Sequence, residues 1–134
     1  MKYSELNLGM KSSVTKTITE TDVILYSGIS LDTNPAHLNE EYAKNTMFKK
    51  RIAHGMLTAG LISAVLGTKL PGEGSIYMGQ ELKFKAPVYM GDTITAEAEI
   101  IELIDEKNQI LLKTTCTNQD GKVVIDGTAR IMKK

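Results

Sequence analysis

Residues Met56 to Leu66 carry no charge, and only Thr58 and Ser63 interrupt a run of small and apolar side chains. Such a run reads as a helix buried all round, opened by Gly55 and ended at Gly67. A helix with no wet face has to be wrapped by something, and the rest of the chain offers one wrapper. After the turn-rich Pro71-Gly72-Glu73-Gly74 the pattern changes to a period of two, the signature of a strand with one face in water. Ile76, Met78, Leu82, Phe84 and Val88 share one parity, while Glu81, Lys83 and Lys85 take the other. Ile94, Ala96, Ala98 and Ile100 repeat the alternation, and the phase change to Ile101 and Leu103 predicts a bulge. Ile110, Leu112, Thr114 and Cys116 form a third segment. Val123, Ile125, Gly127, Ala129 and Ile131 form a fourth, after an Asp120-Gly121 hairpin signal.

Four consecutive strands with short turns make an antiparallel sheet, and the 56–66 helix is the one segment apolar enough to cover its dry face. This is an α+β domain of hot-dog type, read as a single domain over residues 1–134. Its open sheet edges invite pairing with a second copy, so a homodimer is the expected minimum.

The first third of the chain is helical in pattern. Thr19-Glu20-Thr21-Asp22 is an N-cap with an acidic residue three positions on, followed by an apolar stripe of Val23, Ile24, Tyr26 and Ile29. A helix over about 20–31 follows, and Pro35 prevents its continuation, leaving 32–38 as a structured loop. Asn39 before Glu40 and Glu41 predicts a short second helix.

Composition removes several classes of function. At 134 residues the chain buries roughly two-thirds of its unfolded surface and needs no covalent staple. Lys and Arg total 16, as do Asp and Glu, so no net charge draws the protein to nucleic acid or to an anionic membrane. A lone cysteine, Cys116, forms no intrachain disulfide and fits a reducing compartment. No run of 18 apolar residues and no signal-peptide core is present, so a cytoplasmic protein is expected. Two histidines, His37 and His54, without zinc-type spacing argue for no metal and for organic acid/base chemistry.

The chemistry concentrates in Ser30-Leu31-Asp32-Thr33-Asn34-Pro35-Ala36-His37. A carboxylate and an imidazole five residues apart on a proline-stiffened loop can converge on one point. Near neutral pH a carboxylate base and an imidazole able to exchange a proton coexist, with reference pKa values of about 3.9 and about 6.5. At His54-Gly55-Met56 a glycine opens the central helix, whose free N–H groups suit a developing oxyanion. Plainer roles suit the same residues: Asp32 and Asn34 as cap and turn, Gly55 as a packing glycine, Ser63 as a small core residue, His54 as an ordering residue for the turn. Cys116 falls on the apolar parity of its strand, as an inert packed thiol. Lys49-Lys50-Arg51 and Lys83 with Lys85 offer local positive charge for an anionic ligand, or simply solvated turns and strand faces.

The run from Tyr26 through Asp32, Asn34, Pro35 and His37 to Ala43 resembles the hydratase motif of MaoC-like (R)-specific enoyl-CoA hydratases. Ile52-Ala53-His54-Gly55-Met56-Leu57, Pro71 to Gln80, and Phe84, Pro87, Val88, Gly91 and Asp92 extend the resemblance over nearly the whole chain, closest to the short forms that feed polyhydroxyalkanoate synthesis. Gly28 departs from the usual non-glycine helix residue. The resemblance implies a hot-dog homodimer with Asp32 and His37 as the catalytic pair. It also implies that Asn34 supports the loop, that Gly55 is an oxyanion donor and that Ser63 makes a nearby polar contact. The substrate implied is an acyl-CoA thioester, with no cofactor beyond the coenzyme A it carries. The product is an (R)-3-hydroxyacyl thioester.

Three rival functions use the same fold. A thioesterase needs an acidic residue on the central helix, and 56–66 has none. A non-catalytic acyl-thioester binding module would lack Asp32 or His37. A 3-hydroxyacyl-[acyl-carrier-protein] dehydratase would run the same chemistry on a different carrier.

Overall fold

The computed structural model describes residues 1–134. It contains five strands: β1 (Lys11–Thr17), β2 (Ile76–Phe84), β3 (Thr93–Ile104), β4 (Gln109–Thr117) and β5 (Val123–Met132). All neighbours are antiparallel, in the order β1-β3-β4-β5-β2. The four helices are α1 (Glu20–Ser30), α2 (Pro35–Leu38), α3 (Glu40–Ala43) and α4 (Gly55–Thr68).

The central strands follow the alternation of the sequence. Ile94, Ala96, Ala98 and Ile100 of β3 are fully buried, as are Ile110, Leu112, Thr114 and Cys116 of β4. The expected bulge lies between Ile100 and Glu102. α4 lies across this face with Ile62, Val65 and Leu66 sealed against it. Each such side chain contributes roughly 1.5–3 kcal/mol by leaving water.

Four expectations are corrected. β1 is a fifth strand with no apolar alternation of its own; it joins β3 through the register Val14↔Ala96 and through hydroxyl pairs Thr15–Thr95 and Thr17–Thr93 at 2.9 and 2.8 Å. β2 does not sit beside β3, its successor, but at the far edge beside β5. A register shift at Tyr77/Gly79 breaks its parity, and Ile76, Met78 and Phe84 are exposed along this edge strand. α4 is not buried all round and does not stop at Gly67: it runs to Thr68, and Met56, Gly60, Ser63 and Gly67 form an exposed stripe.

α1 starts where its cap predicts. Asp22 N–H donates to Thr19 Oγ1 at 3.1 Å and Thr19 N–H donates to Asp22 Oδ2 at 2.9 Å. Its apolar stripe, however, is not the buried face: Val23 and Ser27 are buried, while Ile24 and Ile29 face outward. The helix ends at Leu31, a left-handed residue with φ +67°. The 32–38 loop contains a helical turn, α2, because Asn34 accepts Ala36 N–H and Pro35 occupies the first helical position. α3 is capped by Asn39, whose side chain accepts Tyr42 N–H.

Candidate active site

Asp32 is presented by a chain of short-range hydrogen bonds. Ser30 Oγ donates to Tyr26 O and accepts Asp32 N–H. Asp32 Oδ1 accepts Asn34 N–H at 3.2 Å, and Asn34 Oδ1 in turn accepts Ala36 N–H at 3.0 Å. One carboxylate oxygen is thereby held in an Asx turn, and the exposed Asp32 keeps Oδ2 for other partners.

His37 follows on α2 and is buried. Its Nδ1 lies 2.7 Å from Ile52 O. A carbonyl only accepts, so the hydrogen resides on Nδ1 and the neutral ring keeps a lone pair on Nε2. Arg51 clamps the same turn from outside by donating Nε–H to His37 O at 2.8 Å, and pairs with Glu20 at 3.2 Å. Arg51 is thus committed to the protein itself and is not free for an anionic ligand.

Asp32, His37, Gly55 and His54 line one cavity of about 550 Å³, with Met56, Phe84 and Lys85 in its walls. One side-chain ligand atom from each of Asp32, His37 and His54 lies within 4.8 Å of the others. The rings of His37 and His54 are stacked, centroids 3.9 Å apart and planes 30° apart. Stacking points their in-plane lone pairs side by side and not at a common centre, an arrangement poorly suited to chelating a metal ion.

Gly55 opens α4, and neither its N–H nor that of Met56 has a protein acceptor. These are orphan donors of a 14-residue helix, at its positive end, in the wall of the cavity. The glycine has a second reason to be there: a Cβ at this position would lie 2.6 Å from Cε1 of Phe84, whose ring lies against the helix start.

Asn34 is outside the cavity wall and acts on the loop alone. Ser63 is not brought to the Asp32–His37 cavity. It lines a neighbouring one of about 330 Å³ with Tyr77, Gln80 and Leu82, and Met56 borders both. Of the basic residues, Lys85 borders the first cavity, and Lys50 lies over the Tyr89 ring at 4.6 Å. Cys116 lies in the core, and burial pushes its thiol up to about 12.

His54, expected mainly to order the turn before α4, is a full member of the cluster and is 2% exposed. Its Nε2 lies 3.1 Å from Ser27 Oγ and 3.0 Å from Asp32 O, and the Tyr26 ring meets it edge-on. Burial lowers its pKa, and the neighbouring His37 acts in the same direction, against the hydrogen bond that His54 donates to the Asp32 carbonyl. The available signal was its adjacency to Gly55.

Known proteins resemble this chain in sequence and in fold. Residues 4–122 match the family model described as "MaoC like domain". An (R)-specific enoyl-CoA hydratase of Rhodospirillum rubrum is 56% identical over 130 residues, 97% of this chain and 90% of that protein. The unliganded R-hydratase of Pseudomonas aeruginosa superposes with a TM-score of 0.94 at 48% identity, covering 98% of this chain and 84% of that one. The (R)-hydratase from A. caviae involved in PHA biosynthesis gives 0.93 at 40% identity, covering 96% and 98%. The chain belongs to the MaoC-like domain family and has its hot-dog fold.

Proposed function

We propose that this protein is an (R)-specific enoyl-CoA hydratase, a hydro-lyase that adds water to a trans-2-enoyl-CoA and runs the dehydration in reverse. The observation carrying this reading is the convergence of Asp32, His37 and the free Gly55 N–H on one cavity. A water held between Asp32 Oδ2 and His37 Nε2 gives a proton to the pair as its oxygen bonds to C3 of the substrate. Electron density moves onto the thioester oxygen, where the Gly55 N–H at the helix start stabilises it. Such a donor is worth about 10²–10³ in rate. The pair then returns a proton to C2 on the same face, so one water is added and no net proton is gained or lost. Syn addition puts the new hydroxyl and the new hydrogen on one face, and the (R)-specific relatives support the face that gives the (R)-3-hydroxyacyl product.

The active unit in this reading is a homodimer, supported by the apolar β2 edge and by the exposed stripe of α4. No helix is long and apolar enough to cross a membrane. A cytoplasmic setting is in keeping with the lone buried thiol.

The test is the loss of enoyl-thioester absorbance with crotonyl-CoA, followed by chiral analysis of the product. Formation of (R)-3-hydroxybutyryl-CoA supports the reading; an (S) product, or release of free coenzyme A in its place, overturns it. Running the crotonyl thioester of acyl carrier protein in parallel decides the carrier, because a dehydratase specific for that carrier would leave crotonyl-CoA untouched.

A further inference from the structure

His54 touches every part of the site without occupying the position of a reactant. It immediately precedes Gly55 at the start of α4, so its backbone carries the oxyanion donor. Its Nε2 reaches Ser27 on α1 and the backbone carbonyl of Asp32, and its ring face lies on His37. One buried side chain therefore joins α1, the carboxylate loop, the imidazole and the helix start.

The hydrogen bonds define its protonation. Asp32 O can only accept, so Nε2 must carry the hydrogen, shared with Ser27 Oγ. The lone pair is then on Nδ1, a buried atom with no hydrogen-bond partner. A second proton at Nδ1 would place a cation in a buried position with no acceptor, against the face of His37.

The loop needs such a restraint. Leu31, directly before Asp32, is held at φ +67°, where a non-glycine residue is disfavoured by about 1–2 kcal/mol. Strained backbone persists only where its surroundings over-determine it. The bond from His54 is the long-range side-chain contact to Asp32; the others to that residue come from Ser30 and Asn34, within the loop.

We propose that His54, as a neutral imidazole protonated on Nε2, is a positioning residue that sets the Asp32 carboxylate and the His37 ring against the Gly55 amide. It exchanges no proton with substrate. The inference rests on the hydratase reading above and adds a residue to it.

The experiment compares wild type, His54→Gln and His54→Phe in crotonyl-CoA hydration across pH, with thermal melting of each. Gln keeps a donor near the Nε2 position, whereas Phe keeps a flat ring against His37 and loses the donor. Expected are a kcat within about fivefold of wild type for Gln and a loss of about 10–100-fold for Phe, the loss typical of a misplaced catalytic group. KM should change by less than about threefold, and both limbs of the pH profile should remain. Loss of one limb in His54→Gln would make His54 an acid or base and overturn the proposal. So would a folded Phe variant with wild-type kcat, or a Phe loss that merely follows the folded fraction. Wild type inactive towards both thioesters overturns the hydratase reading and this inference together; active wild type with an indifferent Phe variant overturns this inference alone. If His54→Phe does not fold, long-range proton–nitrogen spectra of wild type decide: hydrogen on Nε2 with a bare Nδ1 is required, and hydrogen on Nδ1 overturns it.

Discussion

Asp32 Oδ1 accepts the backbone N–H of Asn34 at 3.2 Å, so one carboxylate oxygen serves the loop and the other remains for chemistry. Asn at position 32 can make the same turn through its own carbonyl oxygen while losing the base. Asp32→Asn should therefore melt close to wild type and lose about 10²–10⁴ in kcat. His37→Gln should lose a similar factor, and the double variant should be barely worse than the worse single one, because the pair acts as a unit. Crotonyl-CoA kinetics and thermal melting on the four proteins check this. A well-folded Asp32→Asn retaining more than roughly a tenth of wild-type kcat would defeat the mechanism.

Stability should depend on pH through His54. Burial holds its folded pKa below the ordinary value of 6.5, so the unfolded chain binds the proton more readily. Its contribution is fully present above that value and is lost as pH falls through it towards the folded pKa. The titratable groups facing it are Asp32, His37 and Tyr26, and all three are kept in the His54→Gln variant. Chemical denaturation at about pH 8 and about pH 5.5 should show a smaller drop for His54→Gln than for wild type, since Gln does not titrate. Equal drops would refute this account.

α1 carries glycine inside the helix and leucine at its end, the reverse of the usual preference. Gly28 is exposed, and a Cβ there meets nothing within 4 Å, whereas Leu31 occupies the left-handed position that suits glycine. Gly28→Ala should stabilise by about 0.5–1 kcal/mol, and Leu31→Gly by up to about 1 kcal/mol after its entropic cost. Thermal melting should rise by roughly 2–4 °C per kcal/mol for a chain of this size. A decrease at Gly28 would mean that this face of the helix is covered by a partner.

The exposed β2 edge and the Met56–Gly60–Ser63–Gly67 stripe should be buried by a second copy. Sedimentation equilibrium at micromolar protein should give twice the chain mass of 14.7 kDa or a multiple of that. A fully active monomer is the opposing result.

Cys116 should be dispensable. Cys116→Ala should cost about 1 kcal/mol for the lost apolar atom and leave kcat unchanged. A thiol pushed up to about 12 and fully buried should resist thiol reagents until the protein is unfolded. Fast modification of the native protein would contradict that placement.

What the sequence determined by itself was local. The parity of Ile94, Ala96, Ala98 and Ile100 marks a strand face, and the slip to Ile101 marks a bulge, because the side chains of an extended chain alternate whatever lies beside them. The Asp32-x-Asn34-Pro35 turn is legible for the same reason: its bonds span two residues. Tertiary structure alone decided the rest. β1, Lys-Ser-Ser-Val-Thr-Lys-Thr, has no pattern of its own and is a strand because β3 offers it partners. β2 pairs with β5 rather than with its successor, since edge position depends on which backbone is left unpaired once the sheet assembles. His54 joins the site through Ser27, 27 residues away, and Asp32, 22 away, a convergence whose free energy exists only after α1 and α4 have packed.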